Sequence, residues 1–195
     1  LARCVGSSKE AALQSLDKMM ENIDERKYLD HEKTTKQLIE LRELIEKKRI
    51  DEIYDRALAI LRMNPSKKTI INVEHIQTRN ILVEKFRRDT GRKVEQYCGT
   101  TAQKKKLRER FAPKANMAKI KRSQRIDILI ASGGLAEGHN MQDAEIIVNY
   151  DLWWTPLKLQ QRMGRLDRAT DKPREFSVYN LLNINPDYLS LVSMD

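Results

Sequence analysis

Three arginines at a spacing of three stand in the run Gln160-Gln161-Arg162-Met163-Gly164-Arg165-Leu166-Asp167-Arg168, directly after a helix-start signal. Thr155 suits an N-cap and Pro156 the first turn, where a missing backbone N–H costs nothing. Arg162, Arg165 and Arg168 then project from neighbouring positions on one side of that turn or its exit. Each guanidinium is a planar fork of donors matched to phosphate oxygens and stays charged at any physiological pH. A solvated basic helix end that complements the helix dipole is the equally open reading of this run by itself.

A second candidate is Ser132-Gly133-Gly134-Leu135-Ala136-Glu137-Gly138-His139-Asn140, whose glycines let backbone N–H groups approach an oxyanion. A third is charge. Ten Lys/Arg between Gln103 and Arg125 (Lys104, Lys105, Lys106, Arg108, Arg110, Lys114, Lys119, Lys121, Arg122, Arg125) face one acid, Glu109. That local excess equals the +9 of the whole chain, in which 37 Lys+Arg stand against 28 Asp+Glu. A dense basic stretch beside a balanced remainder is a footprint for a polyanion, most often nucleic acid, with a solubilising face as the alternative.

These residues need a scaffold. The 195 residues suffice for one sizeable core with a smaller attached element. From Ser7 to Asn64 there is no Gly or Pro, and apolar residues recur at helical spacing, which predicts a helical arm over residues 1–64. Lys9 to Glu21 is its first helix and His31 to Lys48 its second, with Ile53, Tyr54, Ala57, Leu58 and Leu61 extending the pattern until Pro65. Residues 65–195 alternate short apolar runs with helices. Strands are expected at Thr69–Val73, Val94–Tyr97, Ile126–Ala131, Ile146–Tyr150 and Phe176–Leu182. Helices are expected at Thr78–Arg88, Thr101–Phe111 and from Pro156, with a basic insertion at about 112–125. The pattern predicts an α/β fold with a mainly parallel sheet, helices on both faces, and ligands at the carboxyl ends of the strands.

Other features narrow the class. No apolar stretch approaches a membrane span and no signal-peptide pattern opens the chain, so a cytoplasmic setting is expected, at the nucleoid if the source is prokaryotic. Leu1 is no initiator Met, so the chain reads as a piece of a longer polypeptide. Cys4 and Cys98 are too few and too distant for a disulfide framework, and Cys98 reads as buried filler. His31, His75 and His139 lack metal-ligand spacing, so no metal site is expected. Trp154 reads as a packing anchor and Trp153 as the exposed one.

Taken together, the Gly-rich stretch, Asn149-Tyr150-Asp151-Leu152-Trp153-Trp154-Thr155-Pro156 and the arginine run resemble the C-terminal RecA-like lobe of superfamily 2 helicases. Within them the resemblance is to Swi/Snf-type translocases of the RapA-like branch. Glu137, Gly138, Asn140 and Gln142 match the family's motif V. Gln161, Arg162, Gly164, Arg165, Asp167 and Arg168 match motif VI. Thr69–Val73 resembles motif IV, and Gly99-Thr100 with Arg108 and Phe111 resembles the segment after the next strand. The chain departs from the pattern at Ser132-Gly133, where the family has Thr-Asp, at His139 and Trp153, and in lacking Gly-Gln after motif VI.

The resemblance implies a RecA-like lobe that shares ATP and Mg²⁺ with an N-terminal lobe of the same polypeptide, which would bind most of both. Arg165 and Arg168 would be arginine fingers with Gln161 beside them. Glu137, Gly138 and Asn140 would couple the nucleotide to a track, double-stranded DNA by resemblance, that crosses Gly99, Thr100, Ser132 and Gly133 and extends to Lys104, Lys105, Lys106 and Arg108. No Gly-Lys-Ser/Thr phosphate loop occurs, so this chain alone is expected not to hydrolyse ATP. Ile50-Asp51-Glu52-Ile53 is no substitute for the Mg²⁺-binding acid pair, because its charged approach predicts a helix. A non-hydrolysing nucleic-acid-binding module and a scaffold lobe whose arm docks a partner stay open as alternatives.

Overall fold

The computed structural model describes residues 9–22, 31–47, 52–132, 140–151 and 175–181. Two compact units divide at Asp55/Arg56, inside a helix, where the sequence pattern put the change after Asn64.

In the first unit, α1 (Lys9–Glu21) and α2 (His31–Lys47) pair antiparallel. Ala12 and Leu16 of α1 close on Ile45 of α2, with Leu13, Leu38 and Leu41 packed around them. The rim is polar: Arg42 bridges Asp17 at 3.1 Å and Glu46 at 2.6 Å, and Lys9 Nζ donates to the Glu46 carbonyl at 2.6 Å. Half-exposed pairs of this kind contribute about 0–1 kcal/mol each, so the apolar seam holds the pair together. α3 is Glu52–Met63; Glu52 and Ile53 lie in its first turn, in keeping with a helical reading of that acidic stretch.

The second unit runs from Arg56 to Leu182 and is built on five parallel strands: β1 (Thr69–Val73), β2 (Val94–Tyr97), β3 (Ile128–Ser132), β4 (Ile146–Asn149) and β5 (Ser177–Asn180). Their order is β2-β3-β1-β4-β5. β1, β3 and β4 read as near-continuous apolar runs because both faces of a parallel sheet are covered. β3 begins two residues later than its apolar run suggests. Ile126 and Asp127 instead bind the end of the preceding helix and the start of β2 through their amides.

α4 (Ile76–Thr90) joins β1 to β2, and α5 (Thr101–Phe111) joins β2 to β3. The two crossovers travel in opposite directions along the sheet, so right-handed connection puts the helices on opposite faces. α4 buries Thr78, Leu82, Val83 and Phe86 at spacings of three and four, and ends at Gly91, whose φ of 65° is the left-handed cap that glycine adopts without penalty. Under α5, Phe111 and Leu107 pack with Ile70, Leu129, Ala131, Ile147 and Met141. Complete burial of Phe111 contributes about 1.5–3 kcal/mol.

The carboxyl ends of three strands are locked by asparagines in register. Asn72 pairs with Asn149, and Asn149 with Asn180. Asn72 Nδ2 donates to Asn149 Oδ1 at 3.0 Å, and Asn149 Nδ2 donates to Asn180 Oδ1 at 2.8 Å. The ladder sits at the ends of β1, β4 and β5, where the ligand-facing loops leave the sheet.

Candidate functional site

The carboxyl edge is stitched together around the segment that follows β1. Past the asparagine ladder, Tyr150 N donates to Asn72 O at 2.9 Å, and the Asp151 carboxylate accepts from Glu74 N at 2.9 Å. On the other side of β1, Arg79 of α4 reaches the end of β3, where its Nη1 donates to Ser132 Oγ at 2.9 Å. Its Nε and Nη2 donate to Asn80 Oδ1 at 3.3 and 3.1 Å. Arg79 is only 9% exposed, and its recorded partners are neutral oxygens. A guanidinium so placed fixes the Ser132 hydroxyl oxygen and leaves that hydroxyl's own proton to donate elsewhere. Ser132 and Asp151 are thus each held by the stretch that follows β1, one by Arg79 and the other by Glu74. They are also the last described residues before the Gly-rich run and just before the Trp-Trp segment that leads to the arginines.

Beyond β2 lies Gly99, with a φ of 99°. A Cβ there would meet Gln103 Oε1 at 2.3 Å, and that oxygen is already engaged. Thr100 and Gln103 form a reciprocal capping box: Thr100 N donates to Gln103 Oε1 at 2.8 Å and Gln103 N to Thr100 Oγ1 at 3.4 Å. Glycine is therefore favoured by its backbone angle, and a Cβ there would push the Gln103 side chain out of the cap. The Thr100 amide is occupied by the cap, which leaves its hydroxyl proton and the first-turn amides of Thr101 and Ala102, which have no intrahelical acceptor, to face an anion.

Lys104, Lys105, Lys106 and Arg108 follow on α5 and divide between two faces. Lys104 Nζ lies over the Tyr97 ring at 5.9 Å. Arg108 also acts on Tyr97, whose hydroxyl burial pushes above its usual range and Arg108 draws partly back. Lys105 and Lys106 are exposed, Lys105 standing 4.0 Å from Glu109. The basic segment that looked continuous in sequence is split by the fold. Lys104–Lys106 begin α5 at the carboxyl edge, whereas Lys114–Arg125 follow its far end, about 16 Å away by helical rise.

That far end is the amino edge of the sheet. Lys68, just before β1, donates to the carbonyls of Phe111 and Ile126, and Glu145 N, just before β4, donates to Lys68 O at 2.9 Å. Asn140 belongs here too. Its Nδ2 donates to Ala115 O at 3.4 Å and its carbonyl accepts from Asn116 Nδ2 at 2.8 Å, so it pins the basic segment. The segment at 112–125 makes a turn and ends in a short 3-10 helix at Arg122–Gln124. Gln161, Arg165, Arg168, Glu137, Gly138 and Gly133 lie outside the described residues, as do Arg162, His139 and both tryptophans. Cys98 is half-buried, more accessible than a filler.

Sequence reasoning missed Arg79 and the ladder. For the ladder a signal existed: Asn72, Asn149 and Asn180 each close an apolar strand run. Arg79 carried none, since its neighbours in sequence give a mixed amphipathic helix.

The family of helicase conserved C-terminal domains matches residues 48–170. The uncharacterized ATP-dependent helicase YqhH of Bacillus subtilis (strain 168) is 28% identical over 181 residues, which are 90% of this chain and 29% of that protein. The chain thus spans under a third of that relative's length. Among solved structures, the C-terminal part of the Fun30 ATPase domain superposes with a TM-score of 0.56 at 15% identity, covering 97% of this chain and 65% of that one. The Sulfolobus solfataricus SWI2/SNF2 ATPase core in complex with dsDNA gives 0.54 at 16% identity, over 91% of this chain and 38% of that one. The C-terminal domain of the DEAD-box protein Dbp5 gives 0.52 at 23% identity, over 75% and 79%. These structures share the RecA-like α/β fold of the chain.

Proposed function

This chain belongs to the helicase conserved C-terminal domain family, and from that premise we propose that it is the C-terminal lobe of an ATP-driven, Swi/Snf-type nucleic-acid translocase. One observation carries the reading. Ser132 and Asp151, from which the Gly-rich run and the path to the arginine run depart, are tied to the same stretch after β1 by Arg79 and by the Glu74 amide. A pair of loops that starts from one stiff edge suits a site in which nucleotide and track are sensed together.

Arg165 and Arg168 then present guanidinium charge to the γ-phosphate of ATP held by an N-terminal lobe of the same polypeptide. In a loose phosphoryl-transfer transition state such charge is worth about 10³–10⁵ in rate. Gln161 lies beside them at the interface between lobes, and Glu137 and Gly138 relay nucleotide state. Asn140 acts at the other end of the same stretch, through its hold on Ala115 and Asn116. The described residues contain no carboxylate cluster fit for Mg²⁺. With no phosphate loop in the sequence either, Mg²⁺ and the β- and γ-phosphates fall to the other lobe.

The track crosses Gly99, Thr100, Ser132 and Gly133, where hydroxyls and first-turn amides grip phosphate without reading bases, with Lys104–Lys106 and Arg108 alongside. The duplex bound to the S. solfataricus SWI2/SNF2 core supports double-stranded DNA as the substrate. In the full-length protein, Arg165→Ala is expected to lower ATP turnover at least about 10³-fold while DNA affinity stays nearly unchanged. A parallel loss of DNA binding would assign Arg165 to the polyanion or to the fold and overturn this reading.

A further inference from the structure

At the amino edge, residues 112–118 form a turn braced by its own hydrogen bonds and by bonds to Asn140 and Asp143. The Asp143 carboxylate accepts from Lys114 N at 3.0 Å and from Ala115 N at 2.9 Å. Asn116 Nδ2 donates to Ala112 O and to Asn140 O, both at 2.8 Å, and Ala118 N donates to Pro113 O at 2.9 Å. At its apex stands Met117, 94% exposed, with a φ of 48°. The left-handed conformation is unfavourable for a residue with a Cβ, and this cross-bracing imposes it. An apolar side chain is thereby held out in water by a stiff turn. Along the same stretch of chain Lys114, Lys119, Lys121, Arg122 and Arg125 are all exposed, and in sequence no acid occurs between Arg110 and Arg125.

We propose that this turn is a second nucleic-acid contact, at the opposite edge of the sheet from the track, which holds a separate double-stranded DNA segment with Lys119, Lys121 and Arg122 on phosphates and Met117 wedged at a base step. The cations select a polyanion. Residues 112–126 contain no aromatic side chain, so no stacking platform for single strands is present, whereas methionine is among the apolar residues that open duplex steps from the minor groove. A single protruding Met in a lysine-rich stretch is too small an apolar surface to anchor a membrane, and lysines are depleted at protein interfaces. A stiff B-form duplex lying on the carboxyl edge does not reach this patch without bending around the lobe, so the contact serves a second segment.

The test is fluorescence anisotropy of the full chain with a 30-base-pair DNA duplex between 50 and 200 mM salt. Lys119→Gln/Lys121→Gln/Arg122→Gln is expected to reduce the slope of log affinity against log salt by about 2.7, from three lost phosphate contacts. Lys105→Gln/Lys106→Gln reports on the track independently, so failure of one site is separable from failure of the other. Met117→Asn keeps a residue that tolerates the left-handed angle but removes the wedge; it is expected to weaken duplex binding about tenfold with single-strand binding unchanged, while Met117→Leu binds like the parent. An unchanged salt slope in the triple variant, or unchanged duplex affinity in Met117→Asn, overturns the proposal. So does a loss confined to binding of phosphatidylserine vesicles.

Discussion

Replacing Asn149 by valine tests what holds the carboxyl edge in register. Asn149 is 1% exposed and occupies the middle of the ladder, accepting from Asn72 and donating to Asn180. Its loss strands the Asn72 amide. Asn72 Oδ1 is already buried without a recorded partner, so the whole Asn72 side chain would lack one, at about 1–3 kcal/mol for an orphaned buried group. The bond to the exposed Asn180 is worth about 0.5–1.5 kcal/mol more. A total destabilisation of about 2–4 kcal/mol is expected, read by urea denaturation followed by circular dichroism as a lower midpoint at unchanged slope. Adding Asn72→Val should recover part of that loss, because removing both partners leaves nothing buried and unpaired, and β-branched residues suit a covered parallel strand. A destabilisation below about 0.5 kcal/mol, or a double variant as costly as the two singles combined, would refute the ladder as a stabilising device.

Two further outcomes follow from the same geometry. Gly99→Ala is expected to destabilise by about 2–3 kcal/mol through its backbone angle and through displacement of Gln103 from the capping box. A thermodynamic cycle with Gln103→Ala should be sub-additive, since that variant removes the obstructing side chain, and strict additivity would contradict the clash. Asp143→Ala should release the amides of Lys114 and Ala115, seen as loss of their hydrogen-exchange protection with the strands unaffected; retained protection would mean the turn is held by its other bonds.

The sheet was legible because hydrophobicity writes it directly. Thr69–Val73 and Val94–Tyr97 are strands to the residue, and α1 and α5 fall where periodicity puts them. Errors arose where a tertiary partner outranks local pattern. Ile126 belongs by composition to β3, but its amide binds Arg110 O at the end of α5. The charge run from Lys104 to Arg125 is one patch in sequence and two in space, because α5 carries the chain from one edge of the sheet to the other. Arg79 lies among polar residues of an ordinary amphipathic helix, and only the position of Ser132 on the neighbouring strand gives its guanidinium a purpose.

The central claim is that this chain supplies half of a nucleotide site and a full share of the nucleic-acid grip. The direct measurement is ATP hydrolysis by the purified chain, with and without duplex DNA, at concentrations where DNA binding is saturated. The account predicts salt-sensitive DNA binding with ATP turnover no faster than background. Sustained, DNA-stimulated turnover by this chain alone would contradict it.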